Sequence, residues 1–389
     1  MRLALFFTRG VSLAAWVEGG LLGREKLLYG ELLKRGICDE IVWVTYGDKD
    51  EELAARLHAS GELPLGIRVL GMPRLLASYP GRMLWSLVAP LVHWRDLRRA
   101  DILKTNQMDG AWTALVGKAL LRRPLLVRTG FTLSQFEANG GKASQLRIRL
   151  FRCIERLCYR FADAATVASQ HDRRYLETVL GARNVDVVPN FIDVSLFRPL
   201  GGPRQDDRMV FIGRLHPQKN LPALVACAAQ AGMGLDLYGV GPEEASLRDL
   251  SARLAADVRF LGTVPNAELP GVLNRYRIFA LPSLFEGMPK ALLEAMACGC
   301  ACLGTNVPGI SEVIRDGENG VLARDTSAEA LAEGLRRLRS ESDLKELGLN
   351  ATNDMVNNYS LSAVIRKETD LYARLLGKGE QARDAKASK

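Results

Sequence analysis

Met209-Val210-Phe211-Ile212-Gly213-Arg214-Leu215-His216-Pro217-Gln218-Lys219-Asn220-Leu221-Pro222 sets out the architecture in fourteen residues. Four apolar residues in a row lead into a glycine, then a cationic loop, then a proline near the start of an apolar helical pattern. That order describes a strand buried on both faces, running through a turn into a helix. Downstream, Leu235 to Tyr238, Val258 to Leu261, Ile278 to Leu281 and Ala301 to Gly304 repeat it, each followed by a turn and a helical pattern. Upstream, Leu3 to Phe7, Ile41 to Thr45, Leu125 to Arg128 and Ala164 to Ala168 form an earlier series. Short apolar strands alternating with amphipathic helices predict an α/β chain with two doubly wound parallel sheets. Between the two series, Phe197-Arg198-Pro199-Leu200-Gly201-Gly202-Pro203-Arg204-Gln205-Asp206-Asp207 carries Pro and Gly that exclude a continuous helix or a central strand. The reading therefore places an N-terminal domain at 1–193, a linker at 194–207 and a C-terminal domain at 208–358. A final helix at 359–376 and a polar, disordered tail at 377–389 complete it.

With 389 residues, 48% of them apolar and 25% charged, the chain buries a substantial core, which excludes a disordered or disulfide-stapled class. The net charge of +8 is unevenly placed. Residues 1–200 hold 29 basic and 20 acidic side chains, a net of +9 that leaves −1 for the rest. Arg68 to Arg160 alone holds 17 basic against 5 acidic, so an anionic partner is expected on the first domain. Seven cysteines is an odd number, and Cys298, Cys300 and Cys302 alternate in a small-residue apolar stretch. They lack zinc-type spacing and read as reduced core thiols, which fits a cytoplasmic protein. Met1-Arg2-Leu3-Ala4-Leu5-Phe6-Phe7 is too short for a signal peptide and reads as the first strand. The longest uncharged apolar stretch, Met83 to Trp94, is held to 12 residues by Arg82 and Arg95, short of the ~20 that span a bilayer.

Ligands of open parallel sheets collect beyond the carboxyl ends of strands, where loops meet helix N-termini. Arg214 and Lys219 share the first such loop, where a guanidinium fork and an ammonium suit a diphosphate. Two solvated loop cations remain the alternative from these residues alone. Ile278 to Ser283 runs into Leu284-Phe285-Glu286-Gly287-Met288-Pro289-Lys290 and a helix of Ala291 to Ala297. Glu286 in the loop and Glu294 two turns along the helix can meet opposite ends of one ligand with hydroxyl groups, while the N–H groups of Gly287, Met288, Lys290 and Ala291 around Pro289 face its oxygens. Near the amino terminus, Gly19 and Gly20 let a backbone approach a phosphate, or form a mobile turn. Gly239-Val240-Gly241-Pro242 reads as a tight turn.

Gly213-Arg214-Leu215 with Lys219-Asn220, Tyr238-Gly239-Val240-Gly241-Pro242, Phe260-Leu261-Gly262 and Pro282-Ser283 with Glu286-Gly287-Met288-Pro289-Lys290 through Glu294-Ala295-Met296-Ala297-Cys298-Gly299 together closely resemble glycosyltransferase family 4. The likeness covers most of 185–325, including Val188-Pro189-Asn190-Phe191-Ile192-Asp193 and Asn306-Val307-Pro308-Gly309 to Glu312; the first domain resembles the family only loosely. It implies the GT-B fold, two Rossmann-like domains facing across a cleft, with the last helix crossing back to the first domain. It also implies a retaining, metal-independent transfer from a nucleotide diphosphate sugar, a substrate, so that no cofactor and no metal ligand are expected. Under the resemblance Arg214 and Lys219 stabilise the leaving diphosphate, Glu286 contacts the transferred sugar, Glu294 contacts the ribose, and Gly20 approaches the donor from the other domain. Asp48-Lys49-Asp50 has the Asp-x-Asp form that binds metal in another glycosyltransferase architecture, but Glu51 and Glu52 follow it directly.

The sequence departs from the family where many members carry a first-domain histidine; here Asn106-Gln107-Met108-Asp109 follows Asp101-Ile102-Leu103. Asn106 or Asp109 then orients the acceptor or the donor sugar, or caps the helix expected at Gly110 to Leu121. His171 and His216 are read as solvated. Arg82 to Arg95, rich in Trp and Leu between arginines, resembles a helix lying at a bilayer interface, with Pro90 weighing against one continuous helix. The expected partners are thus a nucleotide-sugar donor, a glycan or lipid-linked acceptor of surface polysaccharide, lipopolysaccharide or glycolipid synthesis, and an anionic membrane surface at the inner face. No RNA-binding or helix-turn-helix pattern accompanies the basic stretch, so nucleic acid is not expected. The rival readings are a nucleotide-sugar epimerase or phosphorylase on the same fold, or a non-catalytic nucleotide-sugar-binding scaffold.

Overall fold

The structure is a computed structural model that describes residues 1–130, 134, 145–340 and 343–377. The chain forms two compact units, residues 1–188 with the helix from Ile365, and Pro189–Val364. The first holds a parallel sheet of β1 (Arg2–Phe6), β2 (Glu40–Val44), β3 (Ile67–Leu70), β4 (Ile102–Thr105), β5 (Leu125–Thr129), β6 (Ala164–Val167) and β7 (Val185–Val187), ordered β3-β2-β1-β4-β5-β6-β7. The second holds β8 (Gln205–Ile212), β9 (Gly234–Tyr238), β10 (Val258–Phe260), β11 (Tyr276–Leu281), β12 (Ala301–Thr305) and β13 (Val321–Ala323), ordered β10-β9-β8-β11-β12-β13 and likewise parallel. In each sheet the first strand has its successor on one side and a later strand on the other, so the winding reverses at β1/β4 and at β8/β11. Loops leaving those neighbours diverge and open a crevice.

The apolar runs are what the sheets bury. Leu3, Ala4 and Leu5 are fully buried, as are Met209, Val210 and Phe211, each large side chain contributing about 1.5–3 kcal/mol through its removal from water. One face of the first sheet packs Trp85, Ala89, Ala111, Ala114, Cys158 and Leu176 from its helices into a single core. Aromatic side chains meet in the same unit, Phe7 stacking on Trp16 with ring centroids 3.8 Å apart. Lys104, on β4, is fully buried, and its ammonium donates to both Glu368 oxygens at 2.6 Å and to the Tyr372 hydroxyl at 2.9 Å. Those two residues sit one turn apart on the Leu361–Leu375 helix, which is how the last helix is held in the first unit.

Two expectations are revised, and the Asp-x-Asp form proves to have a structural role. Gln205–Asp207, taken as linker, begins β8, because Gln205 N–H bonds Arg275 O at 2.8 Å and the strand extends past the edge of its apolar run. Pro90 does not interrupt the Tyr79–Val92 helix: it lies in the last turn, forfeits one bond, and the helix still closes through His93 N–H to Ala89 O at 3.0 Å. Asp50 of Asp48-Lys49-Asp50 is buried, accepting from Leu13 N–H at 2.7 Å and Gly47 N–H at 3.2 Å, so it fastens the loop after β1. The polar tail, apart from Gly377, lies outside the described residues. All seven cysteines are free; Cys153 is exposed and the other six, Cys298, Cys300 and Cys302 among them, are buried.

Candidate functional site

In the second unit β8 and β11 end side by side at the reversal. Ile212 runs into the loop of Gly213 to Asn220, which closes as a short 3-10 turn, Pro217–Lys219, before the Leu221–Ala231 helix. His216 is not simply solvated: its ring nitrogen accepts from Gln218 N–H at 3.3 Å and caps that turn. Asn220 holds the left-handed conformation (φ 52°), and its amide donates to Pro282 O at 3.2 Å and Thr326 O at 2.8 Å. Leu284 N–H bonds Gln218 O at 2.9 Å, and the Gln218 amide reaches Phe285 O at 2.9 Å. The loops after β8 and β11 are therefore stitched together along their length. From the other side comes the turn after β9. Gly239 has φ 146°, and a Cβ there would lie 1.8 Å from Gly213 O, so only glycine lets the two loops touch. The Gly239–Pro242 segment is thus a turn, as expected, and also a buttress: Leu215 N–H bonds Val240 O at 3.0 Å.

On this frame Lys219 Nζ forms an ion pair with Glu286 Oε1, to which Ser283 Oγ also donates at 2.7 Å. Thr305 Oγ donates to Ser283 O at 2.6 Å and secures that residue in turn. Arg214, on the same loop as Lys219, is exposed and makes no ion pair or side-chain hydrogen bond among the described residues. One loop thus presents a held ammonium and an uncommitted guanidinium. Met288 is anchored through Asn190, whose backbone N–H meets the Met288 sulfur at 3.2 Å and whose amide donates to Met288 O at 3.3 Å. Pro289 is the N-cap of the Lys290–Ala297 helix, so the first N–H groups of that helix, from Lys290 and Ala291, point out of its end beside Gly287.

Glu294 sits on the buried side of this helix, 6% exposed, and its carboxylate makes no hydrogen bond or ion pair among the described residues. Burial pushes its carboxyl up to about 7, against a smaller downward pull from Lys290. A buried carboxylate without a hydrogen-bonding partner is costly, and perturbed acids of this kind mark ligand sites. The structure thus brings Lys219 and Glu286 into contact, keeps Arg214 on their loop, and places Glu294 two turns down the adjoining helix.

In the first unit, Asn106 and Asp109 follow β4 at the β1/β4 reversal. Asn106 N–H donates to Phe6 O at 2.9 Å, while its buried side-chain oxygen has no partner. Asp109 does not cap the Ala111–Leu121 helix, whose N-cap is Gly110 with no side-chain bond. It meets Arg9 at 3.5 Å instead; burial raises its carboxyl above the ordinary value while Arg9 and Trp112 hold it back. Gly19 ends the Leu13–Glu18 helix, and Gly20, at φ 67° and exposed, starts the Leu21–Lys34 helix with open space where a Cβ would be. Arg9 and Thr305 carry no signal in the sequence, because each acts through a partner brought up by folding, and Ser283, though part of the family motif, gave no sign there of its bond to Glu286.

A family profile described as "Glycosyl transferases group 1" matches residues 206–341, and one described as "Glycosyltransferase Family 4" matches 27–196. Phosphatidyl-myo-inositol mannosyltransferase of Mycobacterium tuberculosis is 31% identical over 62% of this chain and 67% of its own length. UDP-Gal:alpha-D-GlcNAc-diphosphoundecaprenol alpha-1,3-galactosyltransferase of Escherichia coli is 26% identical over 70% of this chain and 75% of its own. Among solved structures, sucrose-phosphate synthase of Thermosynechococcus elongatus superposes with a TM-score of 0.70 at 19% identity, covering 97% of this chain and 99% of that one. The Anabaena protein HepE in complex with UDP gives 0.71 at 19%, covering 96% and 100%. These structural likenesses speak for the fold, which is GT-B.

Proposed function

The chain belongs to glycosyltransferase family 4 and is a glycosyltransferase of GT-B type, and from that premise we propose that its second unit holds a nucleotide diphosphate sugar and passes the sugar, with retained configuration and without a metal, to a glycan or lipid-linked acceptor. The observation that carries this reading is the contrast on one loop: Lys219 locked to Glu286, Arg214 exposed and unpaired. An unpaired guanidinium beside a helix N-terminus is set to fork two oxygens of a diphosphate. Lys219 stays within reach of the same phosphates while it orients Glu286 toward the sugar. Glu294, buried and without a side-chain partner among the described residues, gains hydrogen-bond donors when ribose hydroxyls arrive.

In the transfer, the bond from the sugar's anomeric carbon to the phosphate oxygen breaks and its electron pair stays on the diphosphate. Arg214, Lys219 and the N–H groups at the start of the Lys290–Ala297 helix meet that growing charge where it appears. The acceptor oxygen bonds the anomeric carbon from the face the diphosphate is leaving, and its proton passes to the departing phosphate oxygen. Asn106, with its unpartnered buried oxygen, and Asp109, at the first unit's reversal, orient the acceptor. The relatives named above act on an inositol lipid and on a diphosphoundecaprenol-linked sugar, which favours a lipid-linked acceptor and a place in surface glycan or glycolipid synthesis.

We assign membrane docking to the first unit on the exposed side of the Tyr79–Val92 helix. Leu84, Leu87 and Leu91 are 50–54% exposed there, next to Trp94 and Arg95. No described helix is long and apolar enough to cross a membrane, so the contact is with its surface. Incubating the protein with radiolabelled nucleotide sugars and a membrane extract tests the assignment. Label entering the lipid fraction is the expected result, whereas an altered free sugar would make it an epimerase, and no reaction with any donor would leave a binding scaffold.

A further inference from the structure

The Ala111–Leu121 and Gln145–Phe161 helices of the first unit leave an open groove of about 840 Å³ between their C-terminal halves, lined mainly by apolar side chains. Leu115, Val116, Ala119, Leu157 and Phe161 form its walls, and a Lys118–Asp163 ion pair at 2.6 Å closes one side. Arg122 and Arg123 stand at the end of the first helix on the groove's rim, exposed and without an ion pair or side-chain hydrogen bond among the described residues. Leu157 and Phe161 are 49% and 52% exposed, although leucine and phenylalanine in such a recess gain by being covered.

We propose that this groove takes one hydrocarbon chain of an anionic bilayer phospholipid, with the phosphate lying against Arg122 and Arg123. The inference rests on the membrane-docking reading above and goes further, from a surface contact to a built site for a single lipid. Its volume falls in the range of small-ligand pockets, and an apolar trough ending at two guanidinium groups that are unpaired among the described residues matches a chain that ends at a phosphate.

Topology tells against other occupants. The Ala111–Leu121 helix leads from β4 to β5, so Asp109 is at its start, on the carboxyl edge of the sheet, and Arg122 at its end, on the amino edge. Eleven residues at 1.5 Å each put about 16 Å between them. The groove runs from Leu115, near the middle of that helix, to Arg122 and Arg123, so its phosphate-binding end lies on the far edge from Asn106 and Asp109 and the reacting acceptor is not held at it. The Tyr79–Val92 helix also ends on the amino edge, bringing Leu91, Val92 and Trp94 there with Arg95, Arg98 and Arg99. Apolar side chains ringed by arginines on one edge suit an anionic surface. A second copy of the chain would instead set arginines against arginines.

The test uses the whole protein with phosphatidylglycerol–phosphatidylcholine vesicles in which the phosphatidylglycerol carries a photoreactive group midway along one chain. Cross-links are mapped by mass spectrometry, and vesicle affinity is measured by co-sedimentation for Ala119→Trp, which fills the groove from an exposed position, Leu157→Asp, which makes it polar, and Leu87→Asp on the neighbouring helix. Cross-links on 115–119 and 157–161, with vesicle binding weakened about tenfold or more by each groove variant, are expected. Melting temperature and nucleotide binding should stay at their wild-type values, which separates this loss from misfolding. If Leu87→Asp abolishes vesicle binding while both groove variants bind as wild type and no groove cross-link forms, the docking reading survives and the lipid site falls. No vesicle binding by the wild type ends both. A vesicle-free dimer that Ala119→Trp abolishes also overturns the lipid site, in favour of a second copy.

Discussion

Replacing Glu294 by Gln should make the protein more stable and a poorer binder at once. Glu294 is buried without a partner and its carboxyl is pushed up to about 7 from an ordinary 4.5. Between those values the folded chain holds a proton that the unfolded chain has released, so stability is lost as pH rises. At 1.36 kcal/mol per unit, the raised carboxyl of Glu294 costs the fold about 3 kcal/mol at pH 8 and under about 1 kcal/mol at pH 5. Glutamine mimics the protonated acid at every pH and escapes that cost. With about 2–4 °C per kcal/mol for a unit of this size, Glu294→Gln should melt roughly 6–12 °C above wild type at pH 8, and the gain should shrink to a few degrees or less at pH 5. Nucleotide affinity should move the other way, falling about 10- to 100-fold at pH 8, because hydrogen bonds from the ribose to a charged acceptor are replaced by weaker ones. Thermal denaturation from pH 5 to 8, with calorimetric titration of nucleotide, reads both. Equal melting of variant and wild type at pH 8, or a shift of the same size at both pH values, would refute the claim that unpartnered burial raises this carboxyl. A stabilised variant that binds nucleotide as wild type would remove Glu294 from the donor site.

Arg214→Ala should lower turnover on the order of 10²-fold and leave the melting temperature unchanged, since Arg214 is exposed and unpaired; steady-state kinetics with a melting curve check both halves. Transfer should continue undiminished after exhaustive dialysis against a chelator, and a loss restored by divalent cations would contradict metal independence. Glu368→Ala should cost about 3–5 kcal/mol by stranding the buried Lys104 charge. In urea unfolding, Lys104→Met combined with Glu368→Leu should recover most of it, and failure of the double variant to do so would show that the pair matters for more than its balanced charge.

The two sheets were readable because a parallel strand is buried on both faces and so appears as an apolar run, as at Leu3–Phe7 and Met209–Ile212. Strands without an unbroken run were missed: Arg68 interrupts β3 and Lys104 interrupts β4, β7 is three residues long with Asp186 at its centre, and β13 is Val321–Ala323. Lys104 lies inside β4 and looks like a surface cation until Glu368, 264 residues away, is brought to it. Asp109 had two readings from its place before the Ala111–Leu121 helix, a cap or an orienting group, and neither gave its partner, Arg9 on the loop after β1.

By itself the sequence determined the two-sheet α/β order, the cationic first half, the loop that carries Arg214 and Lys219 and the helix that carries Glu294, since each of these is written in neighbouring residues. Tertiary structure alone decided that Lys219 is spoken for by Glu286 while Arg214 is unpaired among the described residues, that Glu294 is buried, and that two helices leave an apolar groove beneath a pair of arginines. The reason is physical: burial, ion pairing and proton affinity depend on which atoms exclude water from which others, and that is set by contacts between segments far apart in the chain.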